Sequence, residues 1–148
     1  MTYEDPKAVA NGYVILQSAS KSIYPEDKVL WSTVNEDESI GLFKVDNPAK
    51  LVAAGQVYPF HILFQGIEVI GQPIPDIGVF VFQDSLALDY RMGNEWNPEK
   101  VEAFLVLLIQ LASLDSEAVV STEECVQPEV ADHFQEVFAK FRVGRKLS

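Results

Sequence analysis

The pattern of apolar and polar positions divides the chain into a first part rich in β-formers and a second part with helical spacing. Four runs of β-branched and aromatic residues predict strands, at residues 13–20, 29–34, 40–45 and 58–70. Gly66, in the middle of the last run, predicts a bulge or a hairpin turn there. The apolar run 77–82 predicts a central strand that is covered on both faces. The alternating run 86–91 predicts a half-buried strand that forms a hairpin with it, while the Gly- and Pro-containing stretch 71–76 predicts a loop.

Two Asn-Pro pairs predict the starts of helices, because Asn caps a first turn and Pro suits the first helical position. Asn47-Pro48 predicts one short helical turn within residues 46–55. Asn97-Pro98 predicts a longer helix, in which eleven of the fourteen residues 101–114 are apolar. A helix that is apolar on nearly every side is expected to be buried on nearly every side.

A last helix is predicted to begin at Pro128, with phenylalanines on one face and acidic residues on the opposite face. Strands followed by two helices predict an α+β fold, a mostly antiparallel sheet of about five to seven strands with two C-terminal helices packed on one face. Residues 1–148 are expected to form a single domain. The polar residues 1–11 are expected to form a flexible arm.

Charge is distributed unevenly along this acidic chain, which has 22 acidic and 11 basic side chains and a net charge of −11. Residues 101–139, the acidic stretch, contain eight carboxylates and neither Lys nor Arg. A field of one sign selects partners by charge, so we expect a basic protein partner. Nucleic acid and anionic membranes are not expected as partners, since both are bound through Lys and Arg.

The cysteine content and the N-terminal residues predict a cytoplasmic protein. A single cysteine, Cys125, excludes an intramolecular disulfide and suits a reducing compartment. Residues 1–6 have neither the basic nor the apolar part of a signal peptide. The apolar window 101–114 is too short to span a bilayer.

The segment that joins the predicted hairpin to the helix at Pro98 is the richest in functional group types. It contains five candidate binding residues, Asp89, Tyr90, Arg91, Glu95 and Trp96. Arg91 could hold a carboxylate with two hydrogen bonds, and the two aromatic side chains could contact a partner. The structural alternative is that Asp89 and Arg91 pair across strands and that Trp96 packs on the helix it precedes.

No arrangement in the sequence requires catalysis or a metal. Asp84, Asp89 and Glu95 could supply a pair of carboxylates, but their spacing does not demand one. Glu129 and Glu136 share a helix face with His133, yet the chain has no second motif to complete a zinc or di-iron site. We therefore predict no catalytic residue, no metal ligand and no cofactor.

The leading hypothesis is a non-enzymatic protein-binding or accessory module that binds through its acidic C-terminal surface, including Glu129, Asp132 and Glu136. Acidic immunity and antitoxin-type proteins attract basic partners in this way. The alternative is a small-molecule-binding protein or enzyme with a pocket near Asp89, Arg91 and Glu95. A third possibility is a homodimer that packs through the helix 98–114.

Overall fold

The computed structural model describes residues 1–35, 37–90 and 94–120. The helices are α1 (Lys7–Ala19), α2 (Pro48–Ala53) and α3 (Pro98–Ala112), with a 3-10 turn at Leu42–Lys44. The strands are β1 (Ser22–Tyr24), β2 (Val29–Trp31), β3 (Ser39–Gly41), β4 (Phe60–Gln65), β5 (Glu68–Val69), β6 (Gln72–Pro73), β7 (Ile77–Val81) and β8 (Leu86–Asp89). The predicted α+β class is confirmed.

The main sheet has four strands in the order β1-β4-β7-β8, and every neighbouring pair is antiparallel. Two further hairpins, β2–β3 and β5–β6, stand outside it. The mostly antiparallel sheet is therefore confirmed, although the main sheet is smaller than the predicted five to seven strands. The second C-terminal helix, predicted from Pro128, lies outside the described residues.

The register of the main sheet sorts its side chains into two faces. The inner face carries Phe60, Ile62, Phe64, Ile77, Val79 and Val81, whose exposed fractions are 0–4%. Helix α1 lies against this face, where the ring of Tyr13 makes edge contacts with Phe60 and Phe64 at centroid distances of 6.4 and 5.7 Å. The outer face carries the alternate residues, among them Tyr24, His61, Leu63, Phe80 and Asp89.

The predicted strand over residues 13–20 is wrong, because residues 13–19 belong to helix α1 and Ser20 follows its end. The buried positions of this helix recur at helical spacing: Ala8, Val9, Ala10, Gly12, Tyr13 and Leu16. Three of these six positions precede Gly12, in the part predicted to be an arm. The residues after Gly12, taken alone, are rich in β-formers and therefore suggested a strand. Burial of one helix face then outweighs the weak local preference for a strand.

Residues 1–11 are packed against the domain, so the prediction of a flexible arm is also wrong. Tyr3 is only 3% exposed, and its hydroxyl donates a hydrogen bond of 2.9 Å to the carbonyl oxygen of Leu111 in α3. Thr2 forms antiparallel bridges with both Ser85 and Val119. The first residues thus join the start of β8 to the segment that follows α3. That segment contributes the bridge through Val119.

Gly12 lies where α1 crosses two other elements of the core. A Cβ atom at this position would lie 2.7 Å from Cδ1 of Leu86 in β8 and 3.4 Å from Cδ2 of Leu111 in α3. The first distance is shorter than a normal van der Waals contact, so the missing side chain permits the close approach of the helix to the sheet. This requirement explains a glycine in the middle of a helix, where its propensity is poor.

Both helix starts predicted from Asn-Pro pairs are confirmed. Asn47 accepts a hydrogen bond from the backbone N–H of Ala49 at 3.1 Å, and Asn97 accepts one from Lys100 at 2.8 Å. Helix α2 ends just before Gly55, whose φ of 75° is a conformation that glycine adopts without strain. The six consecutive residues Ala103–Leu108 of α3 are all buried, so burial on nearly every side is confirmed.

The other predicted strands are present in shorter form. In the region around 40–45 the strand β3 covers residues 39–41, and a 3-10 turn follows it. The run 58–70 divides at Gly66 into β4 and β5, which belong to different sheets. Within the predicted loop 71–76, Gln72 and Pro73 form the short strand β6 at the edge of a hairpin.

The hairpin predicted over residues 77–91 is confirmed as β7 and β8, and β7 lies centrally between β4 and β8. The prediction that β7 is covered on both faces is wrong. Its inner residues are fully buried, but Phe80 on the outer face is 37% exposed. An apolar run therefore identified a central strand without showing that a second layer covers it.

Candidate functional site

The structure describes four of the eight predicted binding residues: Asp89, Tyr90, Glu95 and Trp96. The other four, Arg91, Glu129, Asp132 and Glu136, lie outside the described residues. Asp89 ends strand β8, and Glu95 is exposed in the turn before α3. Tyr90 and Trp96 lie close together. Asp89 forms a hydrogen bond with His61, a residue of the main sheet that was not among the predicted binding residues.

Tyr90, Trp96 and Phe104 form a compact aromatic cluster at the start of α3. The three rings meet edge to face, with centroid distances of 5.5 Å for Tyr90–Trp96, 5.0 Å for Tyr90–Phe104 and 5.6 Å for Trp96–Phe104. Partial burial in this cluster raises the pKa of Tyr90. The cluster agrees with the structural alternative, in which Trp96 packs on the helix it precedes.

Asp89 is bonded to His61 across the central strand of the sheet. Its Oδ2 atom lies 2.7 Å from Nε2 of His61, although β7 separates their strands β8 and β4. Gly78 of β7 is the direct partner of Asp89 in the register, and a Cβ atom at Gly78 would overlap the Asp89 carboxylate. The glycine therefore lets the carboxylate reach over the central strand to the imidazole.

The bond to Asp89 determines which nitrogen of a neutral His61 carries the proton. A carboxylate accepts hydrogen bonds, so Nε2 is the donor and Nδ1 remains an acceptor. Both side chains are well exposed, at 42% for His61 and 63% for Asp89. We call this arrangement the His61–Asp89 pair. It presents an oriented imidazole on the outer face of the sheet.

Beside this pair, a groove separates the β2–β3 hairpin from the outer face of the main sheet. It has a volume of about 460 Å³. We call it the aromatic groove, and its lining residues are Pro25, Asp27, Lys28, Val29, Leu30, Trp31, Tyr58, Pro59, Phe60, His61 and Phe80. The backbone N–H of Tyr58 donates to the carbonyl oxygen of Trp31 at 2.9 Å, so these two aromatic residues stand on neighbouring extended segments.

The aromatic groove continues into a row of rings on the outer face. The ring centroids of His61 and Phe80 are 5.6 Å apart, and those of Phe80 and Phe82 are 4.8 Å apart and nearly parallel. Trp31 and Tyr58, which also line the groove, are 52% and 48% exposed. Solvent thus reaches the aromatic side chains in the groove and in the row beside it.

Sequence reasoning missed the residues of this groove, although two signals pointed toward it. The alternation in β4 assigns His61 to the face opposite Phe60 and Ile62. A glycine inside an apolar strand, as at Gly78, often marks the close approach of another group. The groove is lined by neither Asp89 nor Glu95; Asp89 reaches its edge through His61.

The lining of the groove is mostly aromatic or proline and contains few polar side chains. No Ser, Thr or Cys is among its described lining residues, so the hydroxyl that the lining offers is the phenol of Tyr58. In the three described ranges, no three His, Cys, Asp or Glu side chains are grouped so that they could hold a metal ion. The groove offers aromatic faces, one acid, one amine and the imidazole.

One member of the acidic stretch has a structural role. Asp115 accepts hydrogen bonds of 2.8 Å from the backbone N–H groups of Glu4 and Asp5, and one of 3.0 Å from Glu117. The bonds from Asp5 and Glu117, followed by that from Glu4, lower the pKa of Asp115. This carboxylate attaches the N-terminal residues to the end of α3. The acids from Glu123 onward lie outside the described residues.

The chain was compared with protein-family models, with curated proteins and with solved structures, and none of them matches it. Among the described residues, no helix combines the length and the apolar character needed to cross a membrane.

Proposed function

We propose that this protein is a non-enzymatic protein-binding module and that the aromatic groove is its contact surface. The observation that carries the proposal is the group of exposed aromatic side chains on and beside the outer face: Trp31, Tyr58, Phe80 and Phe82. Contiguous exposed apolar surface is a mark of interaction sites. Trp and Tyr are also enriched among the residues that contribute most to the binding energy of protein interfaces.

Charge supports a basic partner. The net charge of −11 produces a field that attracts basic proteins from a distance, and the acidic stretch contributes most of it. In this proposal the acidic C-terminal surface, including Glu129, Asp132 and Glu136, accelerates the encounter, while the aromatic groove supplies short-range contact. A cytoplasmic location remains part of the proposal, because a single cysteine suits a reducing compartment.

The groove is a better candidate for an interface than helix α3. The residues Ala103–Leu108 are buried within one chain, so α3 has little apolar surface left for a homodimer. Tyr90 and Trp96 contact each other and Phe104, which reduces the area that they could offer as anchors. Trp31 and Tyr58 in the groove are 52% and 48% exposed, more than Tyr90 at 38%, so they offer more surface to another protein.

Site-specific cross-linking can test this function. A photoreactive phenylalanine analogue is placed at Phe80, and a matched control carries it at Phe43, an exposed aromatic residue that does not line the groove. We expect a discrete protein to be cross-linked through position 80 and not through position 43. The purified partner should then bind at least tenfold more weakly to Tyr58→Ala, and its association should slow as salt rises.

Two results would count against this function. One is equal cross-linking through positions 80 and 43, which would indicate nonspecific capture. The other is a purified partner whose affinity is the same for Tyr58→Ala and for the unsubstituted protein. Either result would remove the aromatic groove as the contact surface.

A small-molecule-binding protein or enzyme is the second candidate, and the His61–Asp89 pair favours it. An oriented imidazole at the edge of a groove can hydrogen-bond a polar group of a ligand. A compound that raises the melting temperature of the protein, but not that of His61→Ala, would support this candidate. If no compound in a broad library discriminates between the two proteins, the protein-binding function is preferred.

A further inference from the structure

Resting on the proposed protein-binding function, we infer that the aromatic groove binds an extended, proline-containing basic segment of its partner in the polyproline II conformation. Its walls combine aromatic and proline side chains: Pro25, Trp31, Tyr58, Pro59, His61 and Phe80. Grooves lined by aromatic side chains are the recurring means of recognising proline-rich segments. Such segments are already extended before binding, so they lose little conformational entropy.

The placement of Trp31 and Tyr58 fits such a ligand. The two residues stand on neighbouring extended segments that are joined by the hydrogen bond from Tyr58 to Trp31. Their side chains are about half exposed, so each ring is supported by the protein and still offers surface to a ligand. Phe80 supplies a third ring from β7. Flat aromatic surfaces of this kind accept proline rings without the deep pockets that branched side chains need.

An amphipathic helix is a less suitable occupant where its apolar face is made of leucine and isoleucine, because the lining has few aliphatic side chains for them to contact. The aliphatic residues in the lining are Val29 and Leu30, and Leu30 is only 1% exposed. The rest of the apolar lining is aromatic or proline. The groove therefore offers little to the leucine and isoleucine side chains by which a helix would bind.

Local charge predicts that the segment also carries Arg or Lys. Asp27 lines the groove, Glu26 beside it is exposed, and Asp89 stands exposed at the edge near His61. Lys28 is the one Lys or Arg among the described lining residues. An arginine next to the prolines could pair with a carboxylate and place its guanidinium over an aromatic ring. The net charge of −11 acts in the same direction.

Selection from a random peptide library tests the inference. A phage library of random dodecapeptides is panned on the intact protein and counter-selected on Tyr58→Ala, so that clones which bind elsewhere are removed. We expect the remaining clones to be rich in Pro together with Arg or Lys. Synthetic peptides of those sequences should bind at least tenfold more weakly to Tyr58→Ala and to Phe80→Ala, and equally well to the control Phe43→Ala.

Trp31 provides a direct signal for binding in the groove. Addition of a selected peptide should change the tryptophan fluorescence of the intact protein, and Trp31→Phe should abolish that change, since Trp96 lies in the separate cluster with Tyr90 and Phe104. Circular dichroism of each variant confirms that the fold is kept. A fluorescence change that survives in Trp31→Phe would show that the peptide binds elsewhere and would overturn the inference.

The outcomes separate this inference from the function on which it rests. Groove-dependent clones without proline, or with apolar residues at helical spacing, would overturn the polyproline ligand and leave a protein-binding groove. If no clone depends on Tyr58 and cross-linking at Phe80 also captures no partner, both proposals fail. If cross-linking succeeds and the library yields no proline-containing clone, only the inference about the ligand fails.

Discussion

The inner and outer faces of the main sheet are built from alternate residues of the same strands, yet they differ in what covers them. The inner residues are 0–4% exposed beneath helix α1, whereas Phe80 and Phe82 on the other side are 37% exposed. A half-exposed antiparallel sheet normally carries polar side chains on its open face. Here the open face keeps aromatic side chains, and this departure from simple alternation is the main indication of function.

The largest effect on stability is expected when two phenylalanines on opposite faces of the main sheet are compared. Phe64→Ala removes a fully buried ring, so it should reduce the free energy of unfolding by about 3–5 kcal/mol. Phe80→Ala removes a ring that is already partly in water, so the loss should be about 1 kcal/mol. Chemical denaturation of the two variants measures both changes.

Equal losses of unfolding free energy in Phe64→Ala and Phe80→Ala would contradict the difference between the two faces. A loss of several kcal/mol in Phe80→Ala would mean that its ring is part of the core and that the outer face is covered.

Leu63→Ala provides a second outer variant, since this half-buried residue is not among those lining the groove. It should leave peptide binding unchanged.

Local features were predicted from the sequence more successfully than long-range ones. The caps at Asn47 and Asn97 depend on a few neighbouring residues, so the sequence alone was enough to place them. Helix α1 was missed because its apolar face is completed by residues before Gly12. The His61–Asp89 pair depends on the register of three strands and on Gly78 between them, and no local pattern contains that information.

Two tyrosines test how closely the inner side is packed. Tyr13 is fully buried against Phe60 and Phe64, and its hydroxyl has no hydrogen-bond partner among the described residues. Tyr3 is also buried, but its hydroxyl bonds to Leu111. We expect Tyr3→Phe to lose about 1 kcal/mol of unfolding free energy, and Tyr13→Phe to be unchanged or to gain up to about 1 kcal/mol.

Calorimetry of the two Tyr→Phe variants under the same conditions measures this contrast. Each substitution removes one oxygen and keeps the ring, so the packing of the aromatic side chain is a shared control. A clear loss of stability in Tyr13→Phe would show that its hydroxyl is satisfied in solution. Water or another polar group would then reach the Tyr13 hydroxyl despite its burial.

A smaller effect concerns the attachment of the N-terminal residues that lead into the covering helix α1. Hydrogen bonds from Asp5, Glu117 and Glu4 hold the pKa of Asp115 below its ordinary value of 3.8. A carboxyl whose pKa is lowered by folding stabilises the fold above its unfolded pKa, and this stabilisation is lost as the pH falls through the folded pKa.

Asp115→Asn should therefore lower the melting temperature at neutral pH, and its difference from the unsubstituted protein should shrink below about pH 4. Thermal unfolding across this pH range measures the difference. Glu117→Gln is the matched control, because the Glu117 side chain is not an acceptor in this set of bonds and its substitution should change little. A difference between Asp115→Asn and the parent that does not vary with pH would contradict this account of Asp115.

The smallest expected effect on stability is at Gly78, where the outer face depends on a missing side chain. Gly78→Ala places a Cβ atom where the Asp89 carboxylate lies, so Asp89 must turn away from His61. Because both partners are exposed, the free energy of unfolding should change by about 0.5 kcal/mol or less. The fraction of neutral His61 that carries its proton on Nε2 should nevertheless fall, and nitrogen NMR of the imidazole measures that fraction.

Asp89→Asn separates the role of the glycine from that of the carboxylate. If Gly78 acts only by making room for Asp89, the two variants should shift the tautomers of His61 in the same direction, and the double variant should shift them no further. Gly41→Ala is a control, since a Cβ atom at Gly41 would meet only the side chain of Lys44 at an ordinary distance of 3.9 Å. An unchanged His61 in Gly78→Ala would mean that Asp89 does not cross the central strand in solution, and the outer face would then lack an oriented imidazole beside the aromatic groove.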